Sequence, residues 1–212
     1  GEKHFPDWMT KNGELVNGRG TYQIKKYREA MRYVGQRRNA VDVGGHVGLW
    51  SMQMAKDFAH VHAFEPVAAF RNCFQRNTLT EQNVTLYACA LGDAEGRVAM
   101  AIDPADTGGT HVAPESHEGL AEEDVILMPL DHYKFEDVDF VKIDCEGYEH
   151  HVIAGAVETL MRCKPVIIVE QKPHKLGPNF GIQGHPAVDL LIEMGAKTRT
   201  VLSGDWIMSW DA

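Results

Sequence analysis

Asp42-Val43-Gly44-Gly45-His46-Val47-Gly48 closes a short apolar run at residues 40–44 and opens a stretch of helical character over 47–58. An apolar strand that ends in glycines and feeds a helix is the opening of a strand–helix–strand unit. The glycines let the backbone approach a partner closely, and the helix N-terminus behind them favours anionic groups. The dinucleotide pattern GxGxxG is absent, because His46 holds its middle place. What stands instead is DxGxxxG, with an acid inside the motif. An acid at a strand end accepts hydrogen bonds from an ammonium group, which a pyrophosphate lacks.

The alternation continues outward from this stretch. Residues 60–64 read as a second strand, and 67–79 as a helix with Phe70, Cys73 and Phe74 on one face. A third strand is expected over 84–90, before the turn Gly92-Asp93-Ala94-Glu95-Gly96. Strands at 98–102 and 125–130 then flank a Gly-, Pro- and His-rich insert at about 103–124, long enough to serve as a binding element. A strand at 140–144, a helix over 146–162, a strand at 165–170, a helix at 186–194 and a hairpin around Ser203-Gly204 complete the pattern. Strands alternating with helices imply an α/β fold: a mostly parallel sheet with helices on both faces and an antiparallel terminal hairpin. Residues 1–38 read as an N-terminal helical or cap segment and 39–212 as one domain. Ligands of such sheets sit beyond the carboxyl ends of the strands, so the residues just after each strand are the candidates.

Composition narrows the function. The chain of 212 residues has 21 Lys and Arg against 30 Asp and Glu, a net charge of −9, which argues against general affinity for nucleic acid. From Glu115 to Glu149 there are 12 acids and two bases, so that stretch carries −10 and the remainder sums to +1. Residues 19–38 hold seven bases and one acid, a local basic patch or a solvated helix face. No run approaches the ~20 apolar residues of a membrane span. The cysteines Cys73, Cys89, Cys145 and Cys163 form no CxxC or zinc-finger spacing. A soluble cytoplasmic protein with reduced thiols and no membrane association is expected; nothing in the sequence bears on oligomeric state.

Seventeen residues past Gly48, the second strand ends in Phe64-Glu65-Pro66. An acid there can accept hydrogen bonds from both ribose hydroxyls of an adenosine. A ligand with an amino-acid group at one end and adenosine at the other is S-adenosylmethionine. The chain resembles the FkbM-type methyltransferases, a branch of the class I S-adenosylmethionine-dependent enzymes with a Rossmann-like fold. The resemblance rests on VDVGGHVGLWS (41–51), VHAFEP (61–66), ACALGDAEG (88–96), DFVKIDCEGYE (139–149) and PVIIVE (165–170), in that order. It implies cofactor contacts at Asp42, Gly44, Gly45, His46, Gly48, Glu65, Pro66 and Asp144, with Ala90, Leu91 or Asp93 near the adenine. His46 stands where many members carry Ala or Asn. The implied activity is O-methylation of a hydroxyl on a carbohydrate or glycosylated small molecule.

Reactive candidates follow the fourth strand, in Lys142-Ile143-Asp144-Cys145-Glu146-Gly147-Tyr148-Glu149. Asp144 is expected beside the donor methyl, where a carboxylate can take the acceptor proton, with Glu146 and, from the insert, His111 as further catalytic candidates. Asp144 also reads as an N-cap of the following helix, with Glu146 and Glu149 favouring its positive end. Asp144, Glu170 and His174 could ligate a divalent ion such as magnesium, a possibility the sequence does not favour. Trp8, Tyr22, Tyr27 and Tyr33 read as packing residues or substrate contacts. Two rivals remain: an RNA ribose 2′-O-methyltransferase, kept alive by the basic patch, and a cofactor-binding module without catalysis.

Overall fold

The computed structural model describes residues 15–16, 19–20, 22–102, 107–113, 121–172 and 184–211. A two-residue hairpin, β1 (Leu15–Val16) and β2 (Arg19–Gly20), precedes helix α1 (Ile24–Met31). Then β3 (Asn39–Val43), α2 (Leu49–Met54), β4 (His60–Phe64), α3 (Ala68–Asn77) and β5 (Val84–Tyr87) alternate. Strands β6 (Ala90–Leu91), β7 (Gly96–Ile102), β8 (His111–Val112) and β9 (Ala121–Met128) interrupt the alternation. It resumes with β10 (Val138–Ile143), α4 (Glu149–Ala154), α5 (Val157–Cys163), β11 (Val166–Glu170) and α6 (Pro186–Glu193), followed by the hairpin β12 (Lys197–Leu202) and β13 (Asp205–Ser209). No helix among the described residues is long and apolar enough to cross a membrane.

Seven strands form the main sheet in the order β12-β13-β11-β10-β3-β4-β5, and only β13 runs against the rest. This is the α/β architecture expected, with the second strand of the terminal hairpin docked on β11. Strands β3, β10 and β11 are buried nearly throughout because both faces of the sheet are covered. On one face Val43, Ile143 and Val169 pack with Ile153, Leu160 and Leu191 of α4, α5 and α6. On the other, Ala40, Phe140 and Ile168 meet Tyr27 and Ala30 of α1 and Trp50 and Met54 of α2.

The strand expected over 84–90 divides in two. The β4–β5 ladder ends at Phe64 and Tyr87, closed by the Glu65 amide donating to the Tyr87 carbonyl at 3.1 Å, and the chain then leaves the main sheet. Residues 90–91 then pair with β9 in a second sheet of order β6-β9-β7-β8. That sheet has its own core, built on Phe70, Met100, Val125 and Leu127. The helix expected over 146–162 also divides, at Gly155. A side chain at Gly155 would place its Cβ 1.9 Å from the carbonyl oxygen of Gly92. The Gly155 carbonyl accepts from the Asp131 amide at 3.0 Å, and the Asp131 carboxylate in turn accepts from the first amides of α5, Glu158 and Thr159, at 2.9 and 2.8 Å.

The chain runs outward from β3 to β5 on one side and from β10 to β11 on the other, so the order reverses between β3 and β10. The loops after these two strands diverge in connectivity but touch in space. Gly44, at φ 74°, lies so close to the Asp144 carbonyl that a Cβ would fall 2.1 Å from it. A crevice at such a reversal is where an open α/β sheet binds its ligand.

The Gly92–Gly155 contact gives a direct test. Gly155→Ala should lower the unfolding free energy in a urea titration by about 1–3 kcal/mol, the range for overpacking a tight site. Gly96→Ala, where a Cβ meets nothing within 4 Å, should change it by less than about 0.5 kcal/mol.

Candidate active site

A cavity of about 520 Å³ opens where the strand order reverses. Gly44, Gly45 and His46 from the loop after β3 line its centre. Toward β4 and β6 the wall is Glu65, Pro66, Cys89, Ala90, Leu91 and Tyr148. Toward β11 it is Tyr22, Gln23, Asp144, Glu146, Glu170 and Lys172. Met100 and Val112 of the second sheet, with Thr107–Thr110 between their strands, complete it.

Glu65 is held rigidly at the end of β4. One carboxylate oxygen accepts the His46 amide and the other the Val67 amide, both at 2.8 Å, and the residue is 4% exposed. Each carboxylate oxygen has two acceptor sites, so two remain for a ligand in the cavity it lines. Burial raises its pKa to about 7, against the two amides that favour the charged form.

Asp42 lies beneath the wall rather than on it. Side chains alternate along β3, so Asp42 points with Ala40 toward α2, away from Val43, and it is fully buried. Its Oδ2 accepts from Ser51 Oγ at 2.6 Å, and its Oδ1 lies 3.3 Å from Lys142 Nζ. Lys142, beside it in the sheet register, donates to the carbonyls of Val43 at 3.1 Å and Gly44 at 2.7 Å. Burial opposes a charge on Lys142, but Asp42, Asp144 and Cys145 together hold its ammonium above the usual lysine range.

Three more sequence candidates fall off the wall. Gly48, at φ 87°, opens α2 and packs on Phe74. Asp93 turns outward to His151, 3.3 Å away, and the Tyr148 ring, stacked on His151, lies at the cavity in its place. His111 bonds the Gly109 carbonyl at 2.8 Å, and alternation along β8 sends its neighbour Val112 inward instead. His174 lies outside the described residues, as does Trp8.

Asp144 and Glu146 do reach the cavity. Asp144 is not a helix cap: α4 begins at Glu149, and its N-cap position is Tyr148, with no side-chain cap bond. With Glu170 the two form a group of three carboxylates whose oxygens lie within 4.8 Å of one another, the arrangement a divalent ion would need. Among the described residues Glu146 takes the place proposed for His174. Lys172 pairs with Glu170, and Lys26 of α1 pairs with Asp205, whose pKa burial raises to about 6. Tyr22 joins this end of the cavity through a chain from Trp50 Nε1 to Gln23 Oε1 at 3.0 Å and from Gln23 Nε2 to the Tyr22 hydroxyl at 3.1 Å. Its aromatic neighbour Tyr27 is core.

Much of the basic patch is paired with acids. Besides Lys26, Arg32 pairs with Glu29, Arg37 with Asp57, and Arg38 with Asp137 and Asp139. These pairs offset part of the positive field that a phosphate backbone requires.

Residues 42–196 match the family model described as the methyltransferase FkbM domain. The chain belongs to the FkbM methyltransferase family. Methyltransferase sdnD of Sordaria araneosa is 25% identical over 167 residues, covering 61% of this chain and 64% of that protein, so the chain spans under two thirds of that relative. The solved FkbM methyltransferase of Methylobacillus flagellatus superposes with a TM-score of 0.55 over 82% of this FkbM chain and 44% of its own, at 17% identity. A Streptococcus mutans protein in complex with SAH superposes with a TM-score of 0.53 over 88% and 95%, at 9% identity. Likeness at these identities is likeness of fold, the Rossmann-like methyltransferase fold.

Two buried carboxyls of this FkbM chain make its stability depend on pH. Burial raises both Glu65 and Glu149 to about 7, from 4.5. Between those values the folded protein holds protons that the unfolded chain has released. The stability these groups confer is complete below about pH 4.5 and is lost as pH rises through 7. Denaturation across this window should show the unfolding free energy falling with pH, by an amount on the order of 1–3 kcal/mol for each group. Glu65→Gln should remove its share of the slope.

Proposed function

We propose that this FkbM-family protein transfers a methyl group from S-adenosylmethionine to a hydroxyl oxygen of a carbohydrate or glycosylated small molecule. One observation carries the reading: a single cavity joins the spare acceptor sites of a buried Glu65 to the three carboxylates Asp144, Glu146 and Glu170. Glu65 accepts the two ribose hydroxyls, and the apolar side chains of Leu91 and Met100 with the Tyr148 ring flank the adenine. The loop of Gly44 and Gly45, which lines the cavity, takes the amino-acid end. When bound, the cofactor supplies an electrophilic methyl on a positively charged sulfur.

The chain's own residues do the rest. The carboxylates toward β11 favour positive charge near the sulfur and accept hydrogen bonds from the hydroxyls of a polyol. Asp144 takes the acceptor proton as the oxygen attacks, a role in which a positioned base contributes about 10²–10⁴-fold. Lys172, Tyr22 and Gln23 orient the acceptor. An excess of carboxylates at this end disfavours a polyanion, and the paired bases of α1 and the segment after it argue in the same direction, against an RNA acceptor.

Methyl transfer from radiolabelled S-adenosylmethionine to separate pools of sugars, nucleosides and RNA tests the assignment. Label is expected in the sugar pool; label confined to RNA would overturn it, and cofactor binding without any transfer would leave a binding module. Glu65→Ala should weaken cofactor binding at least tens-fold by calorimetry, since each hydrogen bond to a charged acceptor is worth roughly 1.5–3 kcal/mol. Asp144→Asn should slow transfer by about 10²–10⁴-fold. Because Asp144 caps no helix, its melting temperature should stay near that of the wild type.

A further inference from the structure

The turn between β10 and α4 carries Asp144 and Glu146 to the cavity, yet its own backbone is not one that a chain adopts freely. Glu146 sits at φ 55° and Gly147 at φ 110°. A glutamate in the left-handed region is disfavoured and persists only where its surroundings impose it. The turn also has amides that no helix or strand satisfies. Those of Cys145 and Gly147 both end on one oxygen, Oε1 of Glu149, each at 3.0 Å.

Glu149 is the first residue of α4 and is 1% exposed. Its second oxygen accepts from Gln171 Nε2 at 3.3 Å. Gln171, also 1% exposed, accepts the Ala187 amide of α6 on its Oε1 at 3.0 Å and donates its own amide to Gly204 at 2.9 Å. The turn is thereby tied through two buried side chains to α6, and the backbone N–H of Gln171 joins the same link to the terminal hairpin. Neither Glu149 nor Gln171 lines the cavity, so neither can touch a ligand there. A helix start does not require a buried carboxylate; an exposed Ser, Thr or Asp cap serves it.

We propose that Glu149 is a positioning residue for the transfer site: its carboxylate locks the 144–147 turn so that Asp144 and Glu146 face the reacting sulfur, and Gln171 fixes the carboxylate. This rests on the methyl-transfer reading above. The polarity of the pair is what matters. Glu149→Gln would set an amide donor against the Gln171 donor. Gln171→Leu would remove the link with no change of charge. The double substitution Glu149→Gln with Gln171→Glu restores every bond, with donor and acceptor exchanged only between the two side chains: the amide at 149 keeps its oxygen for Cys145 and Gly147, and the carboxylate at 171 accepts from it and from Ala187.

The probes are S-adenosylmethionine and S-adenosylhomocysteine, titrated by calorimetry into the full chain. They differ by the methyl and the positive charge on sulfur, so the ratio of their affinities reads the carboxylates on the turn without an acceptor. Both single variants should shift that ratio against S-adenosylmethionine by fivefold or more, and the double variant should return it to within twofold of the wild type. Melting temperatures are recorded alongside. Single variants that melt lower but keep the wild-type ratio would make the pair merely structural and overturn the proposal, as would a double variant that does not recover. Wild-type protein that binds neither compound would overturn the methyl-transfer reading itself, a result distinct from a wild type that binds both while the variants are indifferent.

Discussion

A buried lysine at the point where the strand order reverses is the constraint on which the site depends. Lys142 Nζ reaches the Val43 and Gly44 carbonyls and the Asp42 carboxylate, so an ammonium on β10 holds the last turn of β3. A lysine removed from water is tolerated only when its charge is paired and its donors are used. Asp42 supplies the charge, two carbonyls supply the acceptors, and Ser51 satisfies the second oxygen of Asp42 from α2. Losing either charge would leave its partner buried and alone. The loops after β3 and β10 are therefore held together at the sheet, and the cavity between them inherits that rigidity.

The acidic stretch that dominates the charge of the chain is distributed over separate structural tasks. Glu123 of β9 accepts the Ala68 amide at 3.0 Å and so caps α3 from the second sheet. Asp131 caps α5, Asp137 and Asp139 bind Arg38, and Glu149 braces the turn after β10. Asp144 and Glu146, by contrast, face the cavity. The same stretch thus ties the second sheet to the first and charges one end of the site. The second sheet also has a functional consequence, because Met100 and Val112 on its inner face close the cavity that the main sheet leaves open.

Much of the architecture is legible in the sequence because its signals are local. The alternation of strand and helix, the glycines after β3, the Pro186 that starts α6 and the Ser203-Gly204 turn each act within a few residues of themselves. Glu65, Pro66, Ala90, Leu91, Asp144, Glu146 and the loop from Gly44 to His46 follow strand ends, and strand ends converge in a parallel sheet, so their meeting at one cavity was readable. Tertiary structure decided what depends on side-chain direction and on distant backbone. Asp42 turned from ligand candidate to buried support because alternation along β3 points it at Ser51 and Lys142. On β8, for the same reason, Val112 rather than the candidate His111 lines the cavity. The helix divides at Gly155, and the sequence alone does not show why a glycine is required there, since the obstacle, the Gly92 carbonyl, lies more than 60 residues away. Glu149 looked like a helix-terminus acid and became a brace because Gln171 and two amides of a left-handed turn come within reach of it. Local patterning thus determined which elements form and which ends carry chemistry, whereas only the packed sheet, by fixing direction and neighbours, decided which acids face the cavity and which hold them there.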